Sequence, residues 1–189
     1  ILEAMKAGCL VFGENRVQEA KGKISILGRD KIHWHLIGHL QKNKVKYVYD
    51  LFDLVHTVDN IELGQAIHKG AQTRNIIFPI LVQVNIASEA SKSGVQPHLL
   101  ETVLVKLSHL SSLKVQGLMV IPPLNSDPEK SRRFFAQLRE LRDKMLLSKI
   151  ENIELHELSM GMSTDFKVAI EEGASLVRVG SAIFGKRTN

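Results

Sequence analysis

The 189-residue chain has one cysteine, five prolines and only 5% aromatic residues. With Cys9 alone, a disulfide framework and a cysteine-based zinc site are both excluded. A reducing compartment, the cytoplasm, is the expected location. No apolar run approaches the roughly 20 residues that a bilayer span requires, so no membrane association is expected. No G-x-G-x-x-G fingerprint of a dinucleotide fold is present. Basic residues are not gathered into a stripe with aromatics among them. Their densest group, Lys42, Lys44 and Lys46, reads as a solvated face, and no nucleic-acid partner is expected.

What remains is 44% hydrophobic, 24% charged and carries a net charge of +5, with a mean hydropathy of −0.02 and a pI near 9.4. That composition describes one globular domain with a sizeable core. The mild positive excess suits an anionic ligand.

Short apolar, β-branched runs recur along the chain, each followed by turn residues and a helical pattern. They are 9–12, 33–37, 54–58, 80–85, 115–121, 153–158 and 176–179. Leu99, Leu100, Val103, Leu104, Leu107 and Leu110 keep the spacing of a buried helical stripe, as do Phe134, Phe135, Leu138, Leu141 and Met145. Asp59 with Glu62 reads as a capping pair, and Ser126-Asp127-Pro128-Glu129 as a second helix start. Strand and helix in alternation imply parallel pairing. Ile1–Lys6 reads as the end of a helix closed by Gly8, which places a further strand upstream of residue 1. Seven strands and that one make a (β/α)8 TIM-type barrel whose first strand is missing from this chain. An open doubly wound sheet is the alternative.

In such a barrel the site is built from loops after the carboxyl ends of the strands, with phosphate held after the last two. That rule selects Gly13-Glu14-Asn15, Gly38-His39-Leu40-Gln41, Asp59, Asn85, Pro122-Pro123, Ser159 to Ser163, and Gly180-Ser181. Ser159 offers a hydroxyl. Gly180 and Ser181 open a short helical turn whose free N–H groups favour an anion. Arg178, inside the last strand, is costly to bury unless its charge meets a partner. It reads either as an outward ion pair or as a cation aimed at a ligand. His33 and His35 share a face of their strand, but no carboxylate or cysteine set completes a metal site with them.

FGENRVQEA at 12–20, WHLIGHLQKNKVK at 34–46, GLMVI at 117–121, LSMGMSTDF at 158–166 and RVGSAIFG at 178–185 resemble, in order and spacing, the pyridoxal phosphate homeostasis family. The resemblance implies a single barrel domain over 1–189, like the N-terminal domain of alanine racemases, with pyridoxal 5′-phosphate at its mouth. By position Ser159, Gly180 and Ser181 would hold the phosphate. Arg178 would face the pyridine nitrogen and Asn15 would lie near the ring. The family's Schiff-base lysine sits on the first strand, so it is expected upstream of Ile1. Lys42, Lys44, Lys92 and Lys167 do not fill its place, and weak binding is expected of these 189 residues. The implied role is capture and delivery of the cofactor to apo-enzymes in vitamin B6 homeostasis, by a monomer without dedicated catalysis. The competing reading is an amino-acid racemase, which needs a second acid/base from a further domain.

Overall fold

A computed structural model describes residues 1–89 and 92–185. Seven parallel strands form one sheet in chain order. They are β1 (Val11–Glu14), β2 (His33–Leu36), β3 (Leu54–Val58), β4 (Phe78–Gln83), β5 (Leu113–Met119), β6 (Ile153–Met162) and β7 (Leu176–Arg178). Helices α1 (Leu2–Lys6), α2 (Val17–Leu27), α3 (Val48–Leu51), α4 (Ile61–Gln72), α5 (Leu100–Ser108), α6 (Glu129–Leu147), α7 (Phe166–Glu171) and α8 (Ser181–Phe184) alternate with them. The result is a nearly closed α/β barrel of TIM type. Among the described residues β1 and β7 each pair on one side only. The triad of lysines at 42–46 lies on a 3-10 turn, Lys42–Tyr47, ahead of α3.

Only β3 keeps both expected ends; β2 and β7 stop one residue earlier, β4 and β5 lie two residues earlier, and the shifts in β1 and β6 bear on the site. β1 begins at Val11, where pairing with His33 starts. The residues before it are spent leaving α1, with Gly8 at φ +92 and Cys9 N–H bonded to Ala4 O at 2.9 Å. β6 runs on through Ser159 to Met162, with Met119 paired to Ser159 and Met162 to Arg178. Ser159 therefore lies inside a strand and not in the loop after it.

The strand faces turned toward the helices carry the main core. Trp34, Leu36, Val55, Ile80, Val82, Val115, Leu118 and Leu158 are buried there against Ile67, Leu104, Phe135 and Leu138 from the helices. Each such side chain contributes about 1.5–3 kcal/mol by leaving water. The Trp34 indole N–H also reaches Gly28 O at 3.1 Å, which keeps its polar edge satisfied. Asn60, not Asp59, caps α4: its side-chain oxygen accepts from Leu63 N–H at 2.8 Å. Asp127 does serve α6, accepting from Glu129 N–H at 3.0 Å.

Arg132 on α6 is bonded to Glu129, Glu171 and Glu172, and Arg139 adds a second bond to Glu172. The Arg132 guanidinium, then Arg139, holds the Glu172 carboxyl below the usual carboxylate range. This network ties α6 to α7, the helix that follows β6 and carries the barrel's last loops.

Candidate binding site at the barrel mouth

Because all seven strands run parallel, their carboxyl ends open on one rim. Asn15 follows β1 there, exposed, and its backbone is tightly fixed. A Cβ on Gly38 would meet Asn15 O at 2.1 Å, so only glycine allows this approach. Thr57 Oγ1 donates to Gly38 O at 2.8 Å, which anchors the second loop in turn. Just behind Asn15, buried Glu14 is paired with Lys23 at 2.6 Å. Asn15, Arg16, His39, Gln41 and Lys44 line a cleft of about 280 Å³ between these loops.

On the other side of the rim, Gly180 precedes α8. A Cβ built on Gly180 meets nothing within 4 Å, so its backbone faces open space. Ser163 comes to this point from the loop after β6. Its Oγ accepts from Gly180 N–H at 3.0 Å and from Ala182 N–H at 3.3 Å. Sequence reasoning placed Ser163 in this loop and gave it no role. Ser181 is exposed as the first residue of α8.

Ser159 sits elsewhere. It is fully buried in β6, below the rim, and its hydroxyl is shared by two neighbours. Arg178 donates from one guanidinium nitrogen to Ser159 Oγ at 2.7 Å and from the other to Val120 O at 2.8 Å. His56 Nδ1 lies 2.8 Å from the same Oγ, and His56 Nε2 lies 3.0 Å from His35 Nδ1. The structure thus joins Ser159 to Arg178 and not to the Gly180 turn, where the N–H groups of Gly180 and Ala182 meet Ser163 instead. The interior histidines went unread as a pair. Their visible signal is His56-Thr57, two polar residues inside an apolar strand run.

Arg178 makes no ion pair among the described residues. Burial pulls its guanidinium down to about 10, opposed only by the more distant Asp165. An arginine desolvated without a carboxylate in contact is uncommon in a stable core. Of its two open readings, an outward ion pair is excluded and a cation held for a ligand remains. Burial also lowers His56 well below the ordinary histidine range, helped by the neighbouring His35 ring and by the Arg178 charge. His35 is lowered by burial too, with Asp53 and Glu157 opposing and His33 adding to the effect. Both rings are neutral near pH 7, which spares Arg178 two like charges.

Among the described residues, no group of three or more His, Cys, Asp or Glu is placed to hold a metal. No helix among them is long and apolar enough to cross a membrane. A rim of backbone N–H groups, an open glycine and an isolated cation suit an organic phosphate whose second feature is a hydrogen-bond acceptor.

Comparison with known proteins agrees. The family model for the alanine racemase N-terminal domain matches residues 1–188. A protein of Aquifex aeolicus named pyridoxal phosphate homeostasis protein is 46% identical over 187 residues, covering 99% of this chain and 81% of that protein. Its namesake in Vibrio cholerae is 41% identical, covering 99% and 80%. The structure of PipY from Synechococcus elongatus PCC7942 with PLP bound superposes with a TM-score of 0.88 at 37% identity, over 97% of this chain and 85% of that one. An alanine racemase of Clostridium difficile shares the fold alone, with a TM-score of 0.79 at 13% identity over 98% of this chain and 47% of that one. The chain belongs to the pyridoxal phosphate homeostasis protein family, built on the alanine racemase N-terminal domain.

Proposed function

We propose that the chain binds pyridoxal 5′-phosphate at the barrel mouth and serves vitamin B6 homeostasis by holding and releasing it in the cytoplasm. The observation that carries this reading is Arg178, a buried guanidinium fixed by Ser159 and Val120 with no acid in contact among the described residues. The residues present fit the cofactor. The phosphate would lie against the backbone at Gly180 and Ser181, where the space in front of Gly180 is open. Ser163, whose Oγ already accepts from the N–H groups of Gly180 and Ala182, would add a hydroxyl. Ser159 would contribute by holding Arg178, and Asn15 by closing the opposite rim.

Pyridoxal phosphate supplies a reactive aldehyde and a ring that can act as an electron sink. Arg178, facing the ring nitrogen, would disfavour a proton there, and the ring would be a poor sink. The site holds the cofactor and does not drive carbanion chemistry. We assign it no dedicated catalysis and place the covalent lysine in a segment N-terminal to Ile1. Apo-enzymes that use the cofactor are the receivers, and the chain acts as a monomer.

The test is titration with pyridoxal phosphate followed by fluorescence, then borohydride reduction and mass spectrometry. Saturable binding with no single lysine of residues 1–189 trapped is the expected result. One stoichiometrically trapped lysine within 1–189 would relocate the site. Release of α-deuterium from labelled amino acids at an enzyme-like rate would replace the holding role with racemisation.

A further inference from the structure

Behind the rim, one line of hydrogen bonds crosses the barrel interior from β7 to β2: Arg178, Ser159, His56 and His35. A serine, a histidine and a third polar group in line resemble a hydrolytic triad. Ser159 is fully buried and already holds a guanidinium, so it is closed to substrate. The line has a different use, and proton bookkeeping shows it.

Arg178 can only donate, so Ser159 Oγ accepts from it. The serine hydroxyl then has one proton to place, and His56 Nδ1 is its one available acceptor among the described contacts. A fully buried hydroxyl that kept its proton unused would lose a hydrogen bond. Ser159 therefore donates to Nδ1, and His56 carries its own proton on Nε2, which donates to His35 Nδ1. Every proton along the line points away from Arg178 and finds an acceptor.

We propose that His56 is the positioning residue for Arg178, acting through the Ser159 hydroxyl in its neutral, Nε2-protonated form, with His35 as the terminal acceptor. The proposal rests on the cofactor reading of the mouth. A second proton on His56 makes Nδ1 a donor, and Ser159 loses the acceptor that orients its lone pairs toward the guanidinium. It also sets a cation beside Arg178. The groups that face His56 are His35 from β2, Ser159 from β6 and Arg178 from β7. Asp53, His33 and Glu157 act on His35. Protonation of His56 therefore loosens Arg178, and the grip on the ring would weaken with it.

The experiment has two readouts. In the protein without cofactor, nitrogen-15 NMR follows the imidazole nitrogens and the Arg178 side chain. His56 Nδ1 is expected to be unprotonated at pH 8, and the Arg178 signal is expected to move as His56 titrates. Ser159→Ala should uncouple the two. In binding, H56L is expected to lower pyridoxal phosphate affinity about tenfold, the loss of one hydrogen bond to a charged group. H56Q, which can accept from Ser159 and donate to His35, is expected to recover most of that affinity. It should also remove the part of the wild-type acid decline that the ligand's own phosphate does not cause. If H56L does not fold, the smaller Ser159→Ala change carries the binding test. A proton on His56 Nδ1 at pH 8 overturns the proposal. So does wild-type affinity and pH profile in both H56L and S159A. Coupled signals in a protein that binds no pyridoxal phosphate in any form overturn the cofactor reading and leave the relay standing.

Discussion

Two layers of the barrel interior lie only two residues apart on the same strands. Leu54 and His56 share the inner face of β3, Leu81 and Gln83 that of β4, and Leu176 and Arg178 that of β7. The lower layer is apolar: Leu54, Leu81 and Met119 form their own buried cluster, with Leu176 against it. The upper layer is polar, and each member is bonded. Gln83 reaches Ser93 O at 3.0 Å, and His56 and Arg178 meet at Ser159. One step of the pleat thus separates the part that fills the barrel from the part that can hold a ligand. The lower layer stabilises through lost water contact. The upper layer gives little of that and supplies direction instead.

Removing the distinction in the lower layer has the largest effect expected here. Leu81→Ala should cost about 3 kcal/mol of stability through the cavity it opens, read by denaturant unfolding. In the upper layer, Arg178→Met should leave the melting temperature little changed, because relief of the buried charge offsets two lost hydrogen bonds. Its cost should fall on binding, with pyridoxal phosphate affinity reduced about tenfold or more in a fluorescence titration.

The layers should also differ in pH response. His35 and His56 have folded-state values below the ordinary 6.5. Just below pH 6.5 the unfolded chain binds protons that the folded one refuses, so stability should fall as pH drops through that window and be fully present above it. Urea midpoints between pH 8 and 5 would show the slope, and H56Q should flatten it. A midpoint independent of pH in the wild type would contradict the neutral assignment. The smallest effect is at the rim. Gly180→Ala places a methyl in open space, so stability should hold within about 0.5 kcal/mol. Affinity for pyridoxal phosphate should drop nonetheless, since that methyl occupies the approach to the backbone.

Much of this was legible in the chain itself. Seven β-branched runs alternate with amphipathic stretches, and the structure turns each run into a strand of one parallel sheet. The misread ends have local causes. Cys9 and Leu10 look like strand residues, yet register with His33 begins only at Val11. Ser159 to Met162 looks like a loop because Ser159 and Gly161 break the apolar run. That glycine, at φ +89 with Ala169 Cβ 2.5 Å from where its own Cβ would stand, lets β6 continue close against α7. Asp59 and Asn60 are both good caps, and only the reach to Leu63 N–H chooses between them. The rim at Asn15, Gly180 and Ser181 followed from the barrel rule. The role of Ser159 did not, because its partner His56 is 103 residues away in sequence, and spacing cannot show a contact made by curvature of a sheet.

The ion pairs of Arg132 have a mechanical consequence. One guanidinium reaches Glu129 on its own helix and Glu171 and Glu172 at the end of α7, so the two helices act as one strut behind the loop that carries Ser163. Its fastening is exposed charge, which salt screens. β4, bonded on both sides, is fastened by backbone alone. Amide exchange in α7 should therefore quicken as ionic strength rises, while that of β4 stays where it was.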